Sequence, residues 1–73
     1  MSKSPLRTAL ASEVKRLRSE RGLSQAALAE SSGLTQAAIS LIEQESGNPT
    51  LDTIEQLSKS LKAVPRFTLS PAK

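Results

Sequence analysis

A chain of 73 residues with no Cys and no His is one small domain that neither disulfides nor the usual structural zinc ligands can staple. Self-association is then the common remaining supplement to a core worth only a few kcal/mol. Ten Lys and Arg against seven Asp and Glu leave a formal net charge of +3, which favours a polyanionic partner, whereas the lack of His, Trp and Tyr removes the usual proton shuttle and the aromatic platforms for single-stranded nucleic acid. With no paired carboxylates and no Gly-rich phosphate loop, the composition argues against an enzyme and offers no catalytic, cofactor or metal site. No apolar run is long enough for a signal peptide or a membrane span, so a soluble cytoplasmic protein is expected.

Residues 1–4 carry Lys3 and no apolar pattern, and read as a loose arm. Ser4 followed by Pro5 resembles a cap and first helical position, and Leu6, Leu10, Val14 and Leu17 recur at three and four, predicting helix 1 from residue 5 or 8 to 21. Gly22 ends it. Lys15, Arg16, Arg18 and Arg21 crowd its last turns, either as a solvated helix end that complements the helix dipole or as a phosphate-facing patch. The apolar stripe of this helix is needed by the core, which leaves little for a membrane surface.

Residues 25–44, QAALAESSGLTQAAISLIEQ, are the centre of the chain and read as a helix-turn-helix. Ser24 caps a helix to about residue 31; Leu28 and Ala29 precede Gly33, which can take the positive φ that ends a helix, and Ala29 is small enough for a close crossing. Thr35 caps the next helix, to about residue 44, whose Ile39 and Ile42 turn inward while Gln36, Ala37, Ser40 and Leu41 face outward. A glutamine near a helix N-terminus beside small residues suits a DNA major groove. The loop Glu45, Ser46, Gly47, Asn48, Pro49 follows. Thr50 then caps helix 4 over residues 51–62, with Leu51, Ile54, Leu57 and Leu61 on one face, Asp52 and Glu55 early, and Lys59 and Lys62 late.

Residues 63–73 form a tail that changes period. Pro65 bars continuation of helix 4, and Arg66, Phe67, Thr68 and Leu69 alternate polar with apolar, predicting a short strand over 66–69. Within a helical chain its simplest partner is the same strand of a second copy about a twofold axis; the alternative is that Phe67 and Leu69 merely cap the helical core.

With these parts in order, the chain resembles the small helix-turn-helix family of the lambdoid phage repressors and many bacterial antitoxins. The resemblance covers residues 14–61 and rests on VKRLRSERGLSQ, LAESSGLTQAAISLIE and NPTLDTIEQLSKSL at their spacing. The ending LKAVPRFTLSPAK looks most like HipB-type antitoxins, the DNA-binding partners of serine/threonine kinase toxins. The resemblance implies an all-α domain of four to five helices, lambda-repressor-like, over residues 5–62, with the tail strand pairing in a homodimer on a palindromic operator. It also implies autoregulation of a toxin-antitoxin operon. A stand-alone phage-type or restriction-controller-like regulator, or an interaction module that has lost DNA binding, stays open beside it.

Carried across by position, Gln36 becomes the main base reader, Ala37 and Leu41 lie against thymine methyls, and Ser40 meets a base edge or a phosphate. Gln25 contacts phosphate and braces Gln36, with Thr35 and Gln44 in support, while Arg18 and Glu43 form a structural ion pair. This chain departs from the family pattern at Gln44 and Glu45, where a basic residue and a glycine are common, and its loop has no Lys or Arg before Pro49. Phosphate binding is therefore expected to rest on backbone N–H groups around Ser24, Gln25, Gly47 and Asn48 and on cations from Lys3 and Arg7.

Overall fold

The computed structural model describes residues 4–72; Lys3 and the rest of the expected arm before Ser4 lie outside them. The described residues form four helices, α1 (Pro5–Glu20), α2 (Gln25–Ser32), α3 (Gln36–Glu43) and α4 (Leu51–Ser60). The all-α class and the order of the elements agree with the pattern in the sequence. None of these helices is long and apolar enough to cross a membrane.

Each helix begins on the hydroxyl its sequence offers. Ser4, Ser24, Thr35 and Thr50 hold extended backbone angles, and their side chains accept the N–H groups of Arg7, Ala27, Ala38 and Thr53 at 3.2, 3.0, 3.1 and 3.1 Å. Each cap satisfies a donor that the first helical turn leaves without a partner.

The helix ends are equally specific. After α1 the Leu23 and Gly22 N–H groups return to the carbonyls of Arg18 and Ser19; after α3 those of Ser46 and Glu45 return to Leu41 and Ile42; after α4 those of Ala63 and Lys62 return to Ser58 and Lys59. This paired closure requires a left-handed residue, which Gly22 supplies without strain at φ 66°. Glu45 at φ 63° and Lys62 at φ 53° adopt it with a side chain attached, at a cost of about 1 kcal/mol each. Lys62 is exposed, so Lys62→Gly should raise stability by about 1 kcal/mol, a melting temperature higher by roughly 4–8 °C for a domain of this size. An unchanged midpoint in a thermal melt would refute this.

The core is built from one fully buried side chain of each of three helices, Leu28 of α2, Ile39 of α3 and Leu57 of α4, with Val14, Ala29, Ile42 and Leu61 closing around them. Leu10, Leu17, Leu23, Leu34 and Ala63 pack against this cluster. Gly33, left-handed at φ 79°, ends α2 by returning its N–H to the Ala29 carbonyl at 3.0 Å; buried Ala29 lets α3 cross close to α2.

Two members of the expected apolar stripes are not core residues. Leu6 is 62% and Leu51 79% exposed. Leu6 lies in the first turn of α1, whose Arg7 and Thr8 turn to the loop after α3, and buried Ala11 takes up the inward face. Leu51 is the first residue of α4, and a helical side chain leans toward the N-terminus, which carries this one away from the core and leaves Ile54 and Leu57 to pack.

The tail behaves differently from one of its two expectations. Phe67 and Leu69 are 70% and 83% exposed, so they do not cap the helical core; Val64, which Pro65 biases toward an extended backbone, is exposed as well. Among the described residues no strand is formed, and residues 66–69 have no ladder partner within their own chain.

Candidate nucleic-acid interface

Helix α3 is divided sharply by burial. Ile39, Ile42 and Glu43 face inward and are buried, whereas Gln36, Ala37, Leu41 and Gln44 are exposed and Ser40 is half-buried. The four residues expected to read bases thus share one outward face. Gln36 opens the helix directly after the Thr35 cap, and its amide makes no hydrogen bond among the described residues, so both of its amide functions point to solvent. One turn on, the Gln44 amide donates to Ser40 Oγ at 2.7 Å. That bond lays Gln44 along the same face and leaves the Ser40 hydroxyl proton to donate outward.

Behind this face the helix is anchored by charge. Arg18 Nε donates to Glu43 Oε2 at 2.7 Å and Nη2 to Oε1 at 3.0 Å, a forked pair between α1 and the last residue of α3. Arg18 Nη1 also donates to the Leu23 carbonyl at 2.8 Å, tying in the α1–α2 turn. Gln25 Nε2 donates to Glu43 Oε1 at 3.0 Å. Burial alone would push the Glu43 carboxyl up; the hydrogen bonds from Arg18 and Gln25, with the charges of Arg18 and Lys15, outweigh it and hold the group below the usual carboxylate range. The same pairing raises the Arg18 guanidinium, against partial desolvation.

The Gln25 contact corrects one expectation. Its side chain was expected to brace Gln36, but in the structure its amide is committed to Glu43. Gln25 thereby joins the start of α2 to the end of α3. Its backbone N–H, with those around the Ser24 cap, still lies in the first turn of α2, where donors have no helical acceptor.

The basic cluster at the end of α1 is split by the fold. Arg18 turns inward, while Arg16 reaches Glu13 and, at 3.0 Å, Glu20 along the exposed side of the helix, an arrangement worth little in water. This side is a solvated helix surface.

Loop residues 44–50 sit beside the outward face of α3. Gly47, left-handed at φ 78°, lies so close that a Cβ on it would meet Leu41 Cβ at 3.6 Å. Arg7, far away in sequence, donates from Nε to the Gly47 carbonyl at 2.9 Å and from Nη2 to Asn48 Oδ1. Thr8 Oγ1 donates to Glu45 Oε1 at 2.8 Å. Arg7 was expected as a cation for phosphate and Glu45 as a departure from the family pattern; that consecutive residues of α1 hold the loop was not foreseen. Contacts between positions some 40 apart leave no trace in local periodicity. Thr35 caps α3, and Arg7 joins Gly47 and Asn48 in the loop beside Leu41; Ser24 caps α2, and Lys3 lies outside the described residues.

Two interacting helices joined by a tight turn, the second with one face pinned and the other open, define a helix-turn-helix protein. The chain belongs to the helix-turn-helix family HTH_3, whose model matches residues 14–68; this is a family of DNA-binding transcriptional regulators. The HTH-type transcriptional regulator PuuR of Escherichia coli (strain K12) is 49% identical over 43 residues, 59% of this chain. The chain spans only 23% of that relative's length. Among solved structures, the restriction-modification controller protein C.Esp1396I, as a tetramer in complex with its natural 35 base-pair operator, matches at a TM-score of 0.80 and 34% identity, covering 85% of this chain and 82% of that one. The HipA-HipB-O2-O3 complex holds a chain matching at a TM-score of 0.72 and 34% identity, covering 100% of both.

Proposed function

We propose that this protein is a sequence-specific transcriptional repressor that binds double-stranded DNA as a homodimer, acting in the cytoplasm. The observation that carries the reading is the asymmetry of α3: its inner face is locked by Ile39, Ile42 and the Glu43 ion pair, and its outer face offers Gln36, Ala37, Ser40 and Leu41 together. An amide such as that of Gln36 can pair with adenine at N6 and N7 at once, and apolar Ala37 and Leu41 suit thymine methyls. Backbone N–H groups at Ser24, Gln25, Gly47 and Asn48 would take phosphates on either side of the groove, fixing register without reading sequence.

The tail supplies the twofold partner in this reading. Residues 66–69 pair with their copies to form a two-stranded sheet that covers Phe67 and Leu69, and the two α3 helices then enter successive major grooves about 34 Å apart. Cross-strand pairs contribute roughly 0.2–1 kcal/mol each, so removing residues 64–73 should weaken the dimer about tenfold in sedimentation experiments. A truncated chain that dimerises as before would remove the strand from the account.

The finer role that fits best is that of an antitoxin which represses its own operon and binds a serine/threonine kinase toxin. It is supported by the likeness over the whole chain to a chain of the HipA-HipB-O2-O3 complex. The likeness to the C.Esp1396I controller favours a second reading, a regulator without a toxin. Copurification of the neighbouring gene product under gentle lysis separates the two. For the DNA-binding reading itself, selection of bound DNA from a random pool should return a twofold-symmetric consensus, and binding to it should weaken steeply with salt. A pool with no enriched sequence would overturn it.

A further inference from the structure

The loop after α3 lacks any Lys or Arg between Gln44 and Pro49 and carries Glu45, yet it borders the reading face. It also contains two left-handed residues, Glu45 at φ 63° and Gly47 at φ 78°, and a side chain in that region is unfavourable unless its surroundings hold it. The holding comes from the first turn of α1. Arg7 Nε donates to the Gly47 carbonyl at 2.9 Å, Arg7 Nη2 donates to Asn48 Oδ1, and Thr8 Oγ1 donates to Glu45 Oε1 at 2.8 Å. Both sides of the loop are therefore gripped by neighbouring residues of one helical turn, and that turn is fixed by the Ser4 cap on the Arg7 N–H itself. Gly47 in turn lies against Leu41 on the outward face of α3.

From this geometry we infer that Arg7 is a positioning residue for DNA binding. Its planar fork holds Gly47 and Asn48 where their backbone N–H groups flank the groove entered by α3. The inference rests on the DNA-binding reading above and adds to it a part of the chain outside the helix-turn-helix. A guanidinium can span a carbonyl and an amide oxygen together; the single ammonium of Lys cannot reproduce that fork. Shape and charge at this position are thus separable.

The test compares wild type, Arg7→Ala and Arg7→Lys for affinity to the DNA selected from the random pool, together with amide hydrogen exchange at Glu45 and Ser46 in the free protein. Both variants should bind about tenfold more weakly, the loss of a charge-assisted fork, and both should exchange faster at Glu45 and Ser46, whose N–H groups are bonded to the Ile42 and Leu41 carbonyls, while amides of the core helices are unchanged. Arg7→Lys binding like wild type would overturn the inference, because charge alone would then suffice. Unchanged exchange in the loop would overturn it equally. A wild-type chain that selects no DNA sinks the parent reading instead, and the exchange experiment, which needs no DNA, tells that failure apart from failure of the clamp.

Discussion

Replacing Arg18 with Ala is expected to destabilise the fold by about 3 kcal/mol at neutral pH, the cost of leaving one member of a buried pair without its partner. The Glu43 side chain is only 5% exposed and that of Arg18 21%, so the two halves of the pair are not equivalent. Without Arg18 the carboxylate keeps only the Gln25 amide in a site closed to water; without Glu43 the guanidinium still reaches solvent and the Leu23 carbonyl. Glu43→Gln should therefore cost less, about 1–2 kcal/mol. In a domain this small, 3 kcal/mol approaches the whole stability, and the Arg18→Ala midpoint should fall by roughly 15 °C or more. The sign with pH follows from the lowered Glu43 carboxyl. A group held below its unfolded value, about 4.3 for Glu, contributes stability that is present above that pH and lost as pH falls through the folded value. The gap between wild type and Arg18→Ala should accordingly narrow as the pH falls, because the stranded carboxyl, pushed up by burial, takes up a proton before the ordinary carboxylate value is reached, and wild type loses its own pair below that value. Denaturant melts of the three proteins at neutral pH and at pH 4 decide this; equal stability of wild type and Arg18→Ala would show the pair to be incidental.

The parts of this architecture that were legible in the sequence are those governed by near neighbours. Ser4, Ser24, Thr35 and Thr50 cap the helices they precede, and Gly22 and Gly33 stand where left-handed residues are needed, because caps and turns act over three or four positions. The inward positions of α3 followed from the three-residue recurrence of Ile39 and Ile42 for the same reason. Leu6 and Leu51 were misread because periodicity reports which face of a helix is apolar and says nothing of where along its length the neighbouring helices stop. Pairing of Arg18 with Glu43 came from resemblance, since nothing local connects positions 25 apart. The Arg7 and Thr8 grip on the loop had no signal of either kind, and neither did the diversion of Gln25 from Gln36 to Glu43. The outward face of α3 was thus readable as a surface, while the scaffold that aims it was not.

For that surface, Gln36→Ala is expected to abolish discrimination at one base pair of each half-site while leaving the protein folded. Gln36 is exposed in the first turn of α3 and packs against nothing that a melt would register, so its melting temperature should stay within about 2 °C of wild type. A bidentate amide–adenine pair discriminates by about 1–3 kcal/mol. Wild type should therefore prefer the selected operator over a half-site with that adenine replaced by roughly 30-fold, and the variant by less than about threefold. The salt dependence should stay unchanged, because a neutral side chain displaces no counterions. These readouts separate the roles of the neighbouring residues. Loss of a phosphate contact would weaken operator and random DNA together, whereas loss of the reader removes the difference between them. Release of Glu43 would weaken both through the fold, with the melting temperature falling in parallel. If Gln36→Ala keeps both its affinity and its preference, the outward face of α3 is not where bases are read, and the locked inner face would then have to serve some other partner.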